Sequence, residues 1–337
     1  MNVLERLLAT DRTLLADGAT GTNLFAMGLT SGDAPELWNF EHPDRVQNLH
    51  RHFVDAGADI VLTNTFGANA RRLALHGLDH RTREINRVAA RLARSVVDAA
   101  GRTVVVGGSV GPTGELFEPL GSLTESAAVD VFFEQIAGLA EGGADVAWIE
   151  TMSSLEEIRA AAIAAARVGL PCTFTASFDT AGRTMMGVTP RALVEFAEAL
   201  DPRPLAIGAN CGVGAADLVV SVLGLTAHGA GIPVIAKANA GIPRVVGAHV
   251  HYSGTPDLMA SYVDLAADAG ARIIGGCCGT GFDHLAAMRA ALDAHRTGER
   301  PDEARVVEAL GPLQAPAARS DHTNATRAGA GRRPPRA

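Results

Sequence analysis

The chain has 337 residues, 47% of them apolar and 4% aromatic, with a formal net charge of −8. That length fits one large domain or two ordinary ones, and the acidic balance argues against a broad cationic surface for nucleic acid. Four cysteines, two of them adjacent, make a poor disulfide framework. With no apolar run of membrane-spanning length and no secretory h-region, a cytoplasmic protein with reduced thiols is expected.

In chain order, the apolar run 13–16 ends in Asp17-Gly18-Ala19-Thr20-Gly21-Thr22, a strand opening into a polar loop. A helix over 44–56 stops at Gly57, and a strand begins at Ala58-Asp59-Ile60. The same punctuation returns at Glu141-Gly142-Gly143-Ala144-Asp145-Val146 and at Asp268-Ala269-Gly270-Ala271-Arg272-Ile273. Each glycine suits the left-handed position just past a helix end. Further strands are predicted near 59–64, 103–108, 145–150, 172–178, 204–209, 233–236 and 271–275. Helices are predicted over 125–140, 155–168, 190–200, 215–226 and 255–269. Eight strands alternating with helices imply parallel pairing with right-handed crossovers. The fold class is therefore α/β, a (β/α)8 TIM barrel in a single domain over 1–313; a doubly wound sheet is the competitor. From about Gln314 the composition turns to Ala, Arg, Pro, Gly and Ser, so 314–337 is expected to be a disordered basic tail.

A barrel places its chemistry at the carboxyl ends of its strands, and the polar residues of this chain follow its apolar runs. Asp17 follows the first, Asn64-Thr65-Phe66 the second, Glu150-Thr151 the fourth, Asn210-Cys211 the sixth, Asn239 the seventh and Cys277-Cys278 the eighth. Strands six and eight share parity, so Cys211 and the adjacent pair can meet across the mouth. Three thiolates around one Zn²⁺ leave a fourth tetrahedral position open, as catalytic zinc sites do. A substrate thiol placed there would be deprotonated and made nucleophilic. The rival readings of Cys277-Cys278 are a tight turn with two buried thiols or a vicinal disulfide, which would suit a redox or binding protein. Cys172, opening the fifth strand, reads as a core thiol. His249 and His251 read as an exposed polar loop. The run Gly108-Ser109-Val110-Gly111-Pro112-Thr113-Gly114 reads as a substrate-shaping loop, because Pro112 removes a backbone donor and no P-loop lysine follows.

Four motifs together carry a resemblance: Asp17-Gly18-Ala19-Thr20-Gly21-Thr22, Asn64-Thr65-Phe66-Gly67, Gly208-Ala209-Asn210-Cys211-Gly212 and Gly275-Gly276-Cys277-Cys278-Gly279-Thr280. The chain resembles the homocysteine S-methyltransferase family from about residue 10 to 300. It is similar both to bacterial betaine–homocysteine methyltransferases and to the homocysteine-binding module of cobalamin-dependent methionine synthase. The resemblance implies a zinc-bound homocysteine thiolate that accepts a methyl group to give methionine. It implies Cys211, Cys277 and Cys278 as zinc ligands, and Asn239 as the occupant of the fourth position when substrate is absent. It implies Asp17 and Gly18 in homocysteine binding, Glu150 on the substrate ammonium and Phe66 near the donor. Glycine betaine is the expected donor; S-methylmethionine and a separate methyl-corrinoid protein are the alternatives. Quaternary ammonium sites favour aromatic cages, for which Trp38, Phe66, Trp148 and Tyr252 are the candidates. No contact with nucleic acid or membrane is expected, and oligomeric state is not readable from the chain.

Overall fold

Each of eight short apolar segments forms a strand and hands the chain to a helix that returns it parallel. The strands are β1 (Leu14–Leu15), β2 (Ile60–Leu62), β3 (Val105–Val110), β4 (Val146–Met152), β5 (Cys172–Ala176), β6 (Ile207–Cys211), β7 (Val234–Ala238) and β8 (Ala271–Gly276). This is a computed structural model; it describes residues 1–229, 231–246 and 249–315. The sheet runs β1-β8-β7-β6-β5-β4-β3-β2, every pair parallel. A parallel bridge from Ala16 to Ile60 closes it, so the expected (β/α)8 barrel is the fold. The helix-ending glycines take the backbone that their position demands, with φ of +97° at Gly57, +95° at Gly143 and +97° at Gly270.

Two apolar clusters hold the barrel. Strand residues facing outward pack under the helices, as with Phe132, Ile136 and Leu139 on the helix Glu125–Glu141. Residues facing inward, among them Leu14, Ile60, Val105, Val146, Trp148, Ile235 and Ile273, fill the interior together with Leu4. Leu4 comes from a helix that composition did not reveal, Val3–Leu8, capped by Asn2 in a reciprocal arrangement with Glu5. Asn2 also donates to the Asp145 carbonyl just before β4, which fixes this helix against the barrel. Burying Leu4 there stabilises the closed barrel by roughly 1.5–3 kcal/mol.

Two expectations are corrected. β6 begins at Ile207 and runs on to Cys211, because Asn210 and Cys211 keep the parallel register with Lys237 and Ala238. The segment around His249 and His251 is an antiparallel hairpin, Pro243–Val246 paired with His249–Tyr252, rather than a loop. Two helices, Phe282–Ala294 and Glu303–Leu310, follow β8. Cys172 is buried at the start of β5, and burial pushes its thiol up to about 12, as suits a core thiol. The expected tail lies outside the described residues from 316 on; Gln314 and Ala315 donate their backbone N–H groups to the Asp217 carboxylate. Among the described residues no helix is long and apolar enough to cross a membrane.

Candidate functional site

β6 and β8 flank β7, so their carboxyl ends deliver Cys211 and Cys277-Cys278 to one place. The three sulfurs lie within 4.8 Å of one another. After β8 the chain turns tightly. The Cys277 N–H donates to the Ala238 carbonyl, the Thr280 N–H donates back to the Cys277 carbonyl, and the Ala240 N–H donates to the Cys278 carbonyl. Gly279 adopts φ +81°, and a Cβ there would stand 2.3 Å from the Tyr252 ring. After β6 the chain turns through two successive left-handed residues, Cys211 at φ +61° and Gly212 at φ +70°. Crowded thiols share protons. Accepting hydrogen bonds from Cys211 and Cys277 lowers the Cys278 thiol, while its bonds to Cys277 and Cys278 push Cys211 well up.

The sulfurs sit on the wall of a cavity of about 440 Å³ at the carboxyl end of the barrel, which Gly18, Phe66, Glu150, Thr151 and Lys237 also line. Gly18 is required by close approach: a Cβ would stand 2.5 Å from the Thr280 carbonyl oxygen and 2.9 Å from the Phe53 ring. Glu150, 8% exposed, accepts from Ser109 Oγ at 2.5 Å. Burial is the main force raising its carboxyl to about 7, against the pull of Lys237.

Asp17 is not part of the cavity wall. Its Oδ2 accepts the Leu62 N–H at 2.7 Å and its Oδ1 accepts Lys237 Nζ at 2.7 Å, with both side chains almost fully buried. Burial pushes the Asp17 carboxyl up. Burial would also lower the Lys237 ammonium, but the Asp17 and Glu150 carboxylates outweigh it and raise it. Lys237 thus stands between two predicted site carboxylates, and no motif pointed to it. The available signal is a lone cation inside Val234-Ile235-Ala236-Lys237-Ala238, a strand buried at every position. An unpaired lysine there would be too costly.

Asn239, 2% exposed, donates through Nδ2 to the Gly212 carbonyl, and its Oδ1 is buried without a hydrogen-bond partner. Of the four aromatic candidates only Phe66, 42% exposed, lines the cavity. Trp38 is buried with its ring against Arg45, Trp148 fills the barrel interior, and Tyr252 packs on Gly279.

The fold and site together define a (β/α)8 barrel with three cysteines, a buried carboxylate and a lysine at its mouth. Sequence comparison makes the class specific. Residues 14–292 match the family described as Homocysteine S-methyltransferase, and the chain belongs to that family. It is 33% identical over 305 residues to the methionine synthase of Mycobacterium tuberculosis and 31% identical over 306 residues to that of Mycobacterium leprae. Each match covers 86% of this chain and 25% of the relative, so the chain spans about a quarter of the length of the curated relatives it matches. Among solved structures it is similar to the homocysteine methyltransferase MmuM of Escherichia coli. The oxidised form has a TM-score of 0.73 and the metallated form 0.72; both are 26% identical and cover 86% of this chain and 99% of theirs.

Proposed function

We propose that the chain transfers a methyl group to the thiol of L-homocysteine, giving methionine, with a single Zn²⁺ held by Cys211, Cys277 and Cys278. The observation that carries this is the sulfur cluster on the cavity wall. A Zn–S bond of about 2.3 Å puts tetrahedral sulfurs about 3.8 Å apart, compatible with three sulfurs within 4.8 Å. The unpartnered Asn239 Oδ1 supplies an oxygen for the fourth position in the absence of substrate. The metal would hold the substrate sulfur as thiolate at neutral pH. Glu150, steadied by Ser109, pairs with the substrate ammonium. Gly18, on the cavity wall, faces the amino-acid part of homocysteine. Asp17 acts through Lys237, holding its ammonium in place at the cavity wall. Phe66 closes the donor side, where in-line attack needs the methyl carbon facing the sulfur.

Glycine betaine is the proposed donor, with S-methylmethionine as the alternative onium compound. A second reading rests on two observations: the match covers only 25% of the methionine synthases it is made to, and among the described residues Phe66 is the one Phe, Tyr or Trp that lines the cavity, where an onium cage would use several. There the methyl group comes from a separate methyl-corrinoid protein. Purified protein loaded with zinc is incubated with homocysteine and each donor in turn. Methionine from betaine or S-methylmethionine without a corrinoid protein supports an onium donor. Methionine only with methylcobalamin supports the second reading, and none with any donor refutes the proposal.

A further inference from the structure

Asn210 lies one residue before Cys211, is 1% exposed and does not line the cavity. Its carboxamide nevertheless uses all of its hydrogen-bonding capacity. Oδ1 accepts the Thr151 backbone N–H at 2.8 Å and the Thr175 hydroxyl at 2.6 Å. Nδ2 donates to Thr151 Oγ1 at 2.7 Å and to Cys277 Sγ at 3.8 Å. A backbone N–H can only donate, so the oxygen must face Thr151 and the amide N–H must face the sulfur. No other side chain of this length offers two acceptor and two donor sites together. Aspartate lacks the donors, and serine or threonine offers only one donor where two are used.

The reason for this clamp is a local fault in the sheet. The register of β4 against β5 slips between Ile149 and Met152, which takes Glu150 and Thr151 out of the ladder. Thr151 adopts φ +62°, rare for a β-branched residue and held only where the surroundings over-determine it. The Asn210 carbonyl takes the N–H that the slip releases, reaching across β5 with the Thr175 hydroxyl as support. The same side chain then ends on the Cys277 sulfur, two strands further round and just past the end of β8.

We infer that Asn210 is a positioning residue that ties the Glu150-Thr151 corner of β4 to the sulfur of Cys277, so that the amine-binding and thiol-binding halves of the site keep a fixed spacing. The inference rests on the proposed metal-thiolate function and assigns Asn210 two tasks. It holds the β4 corner, and its N–H draws electron density from the Cys277 sulfur, as partners of metal ligands do.

Cobalt(II)-substituted protein tests this through its sulfur-to-metal charge-transfer band, which responds to the electron density on the ligand sulfurs. Three proteins are compared: wild type, Asn210→Ala and Thr175→Val. The second variant is nearly isosteric and removes only the Thr175 hydroxyl that supports Asn210, so it serves if Asn210→Ala fails to fold. The expected result is a band moved to longer wavelength in both variants, with the larger move in Asn210→Ala. The KM for homocysteine is expected to rise about tenfold or more with Asn210→Ala. A purely structural role lowers the unfolding midpoint of both variants and leaves the band of each folded protein where wild type has it. That outcome, or a KM at the wild-type value, overturns the inference and leaves the methyltransferase proposal intact. Wild type that takes up no cobalt overturns both.

Discussion

Lys237→Met keeps the unbranched stem and removes the ammonium, leaving the Asp17 carboxylate buried without its cation. At 2.7 Å and an effective dielectric of 20 the gross attraction is about 6 kcal/mol. Much of that is offset by the cost of taking both charges out of water, but removing one partner alone costs about 3–5 kcal/mol. The assay is urea unfolding by far-ultraviolet circular dichroism. Burial already raises the Asp17 carboxyl, and losing Lys237 raises it further. A carboxyl whose folded pKa exceeds its unfolded value loses stability as pH rises, so the deficit is larger at pH 8 than at pH 5. Adding Asp17→Asn removes the stranded charge, and the double variant is expected to be more stable than Lys237→Met alone. A deficit below about 1 kcal/mol at pH 8, the size of an exposed pair, refutes the reasoning, as does a double variant no better than the single one.

His50 makes a separate pH test. Both ring nitrogens are buried without partners, and burial lowers its pKa from 6.5 to about 4. Its neutral form is favoured in the fold, so this contribution is complete above pH 6.5 and is lost as pH falls towards 4, roughly 3 kcal/mol in all. His50→Leu is expected to flatten that part of the stability–pH curve; an unchanged slope contradicts the assignment. Phe66→Ala is expected to lower kcat/KM for the methyl donor by about tenfold or more while changing stability by less than about 1 kcal/mol, because the ring is half exposed on the cavity wall. Equal losses for donor and homocysteine would show that Phe66 does not act on the donor side.

What could be read in the chain followed from local rules. Gly57, Gly143 and Gly270 announce a left-handed helix end on their own, and counting those stops with their apolar runs gave the barrel. Cys211 and Cys277-Cys278 were legible because thiols after strand ends are few and parity places them together. Lys237 was not legible, since its meaning depends on Asp17, 220 positions away. Asn210 stood inside a recognised motif, yet its role depends on a register slip in another strand, which no periodicity reports. The helix Val3–Leu8 was missed because six residues carry too little pattern, and the hairpin Pro243–Tyr252 because its strands are only four residues each.

The central claim is that Cys211, Cys277 and Cys278 hold a metal with one position for the substrate sulfur. Zinc-edge X-ray absorption of the zinc-loaded protein, with and without L-homocysteine, counts the sulfur neighbours directly. The account predicts three sulfurs and one lighter neighbour without homocysteine, and four sulfurs with it. A count that stays at three when homocysteine is bound contradicts it.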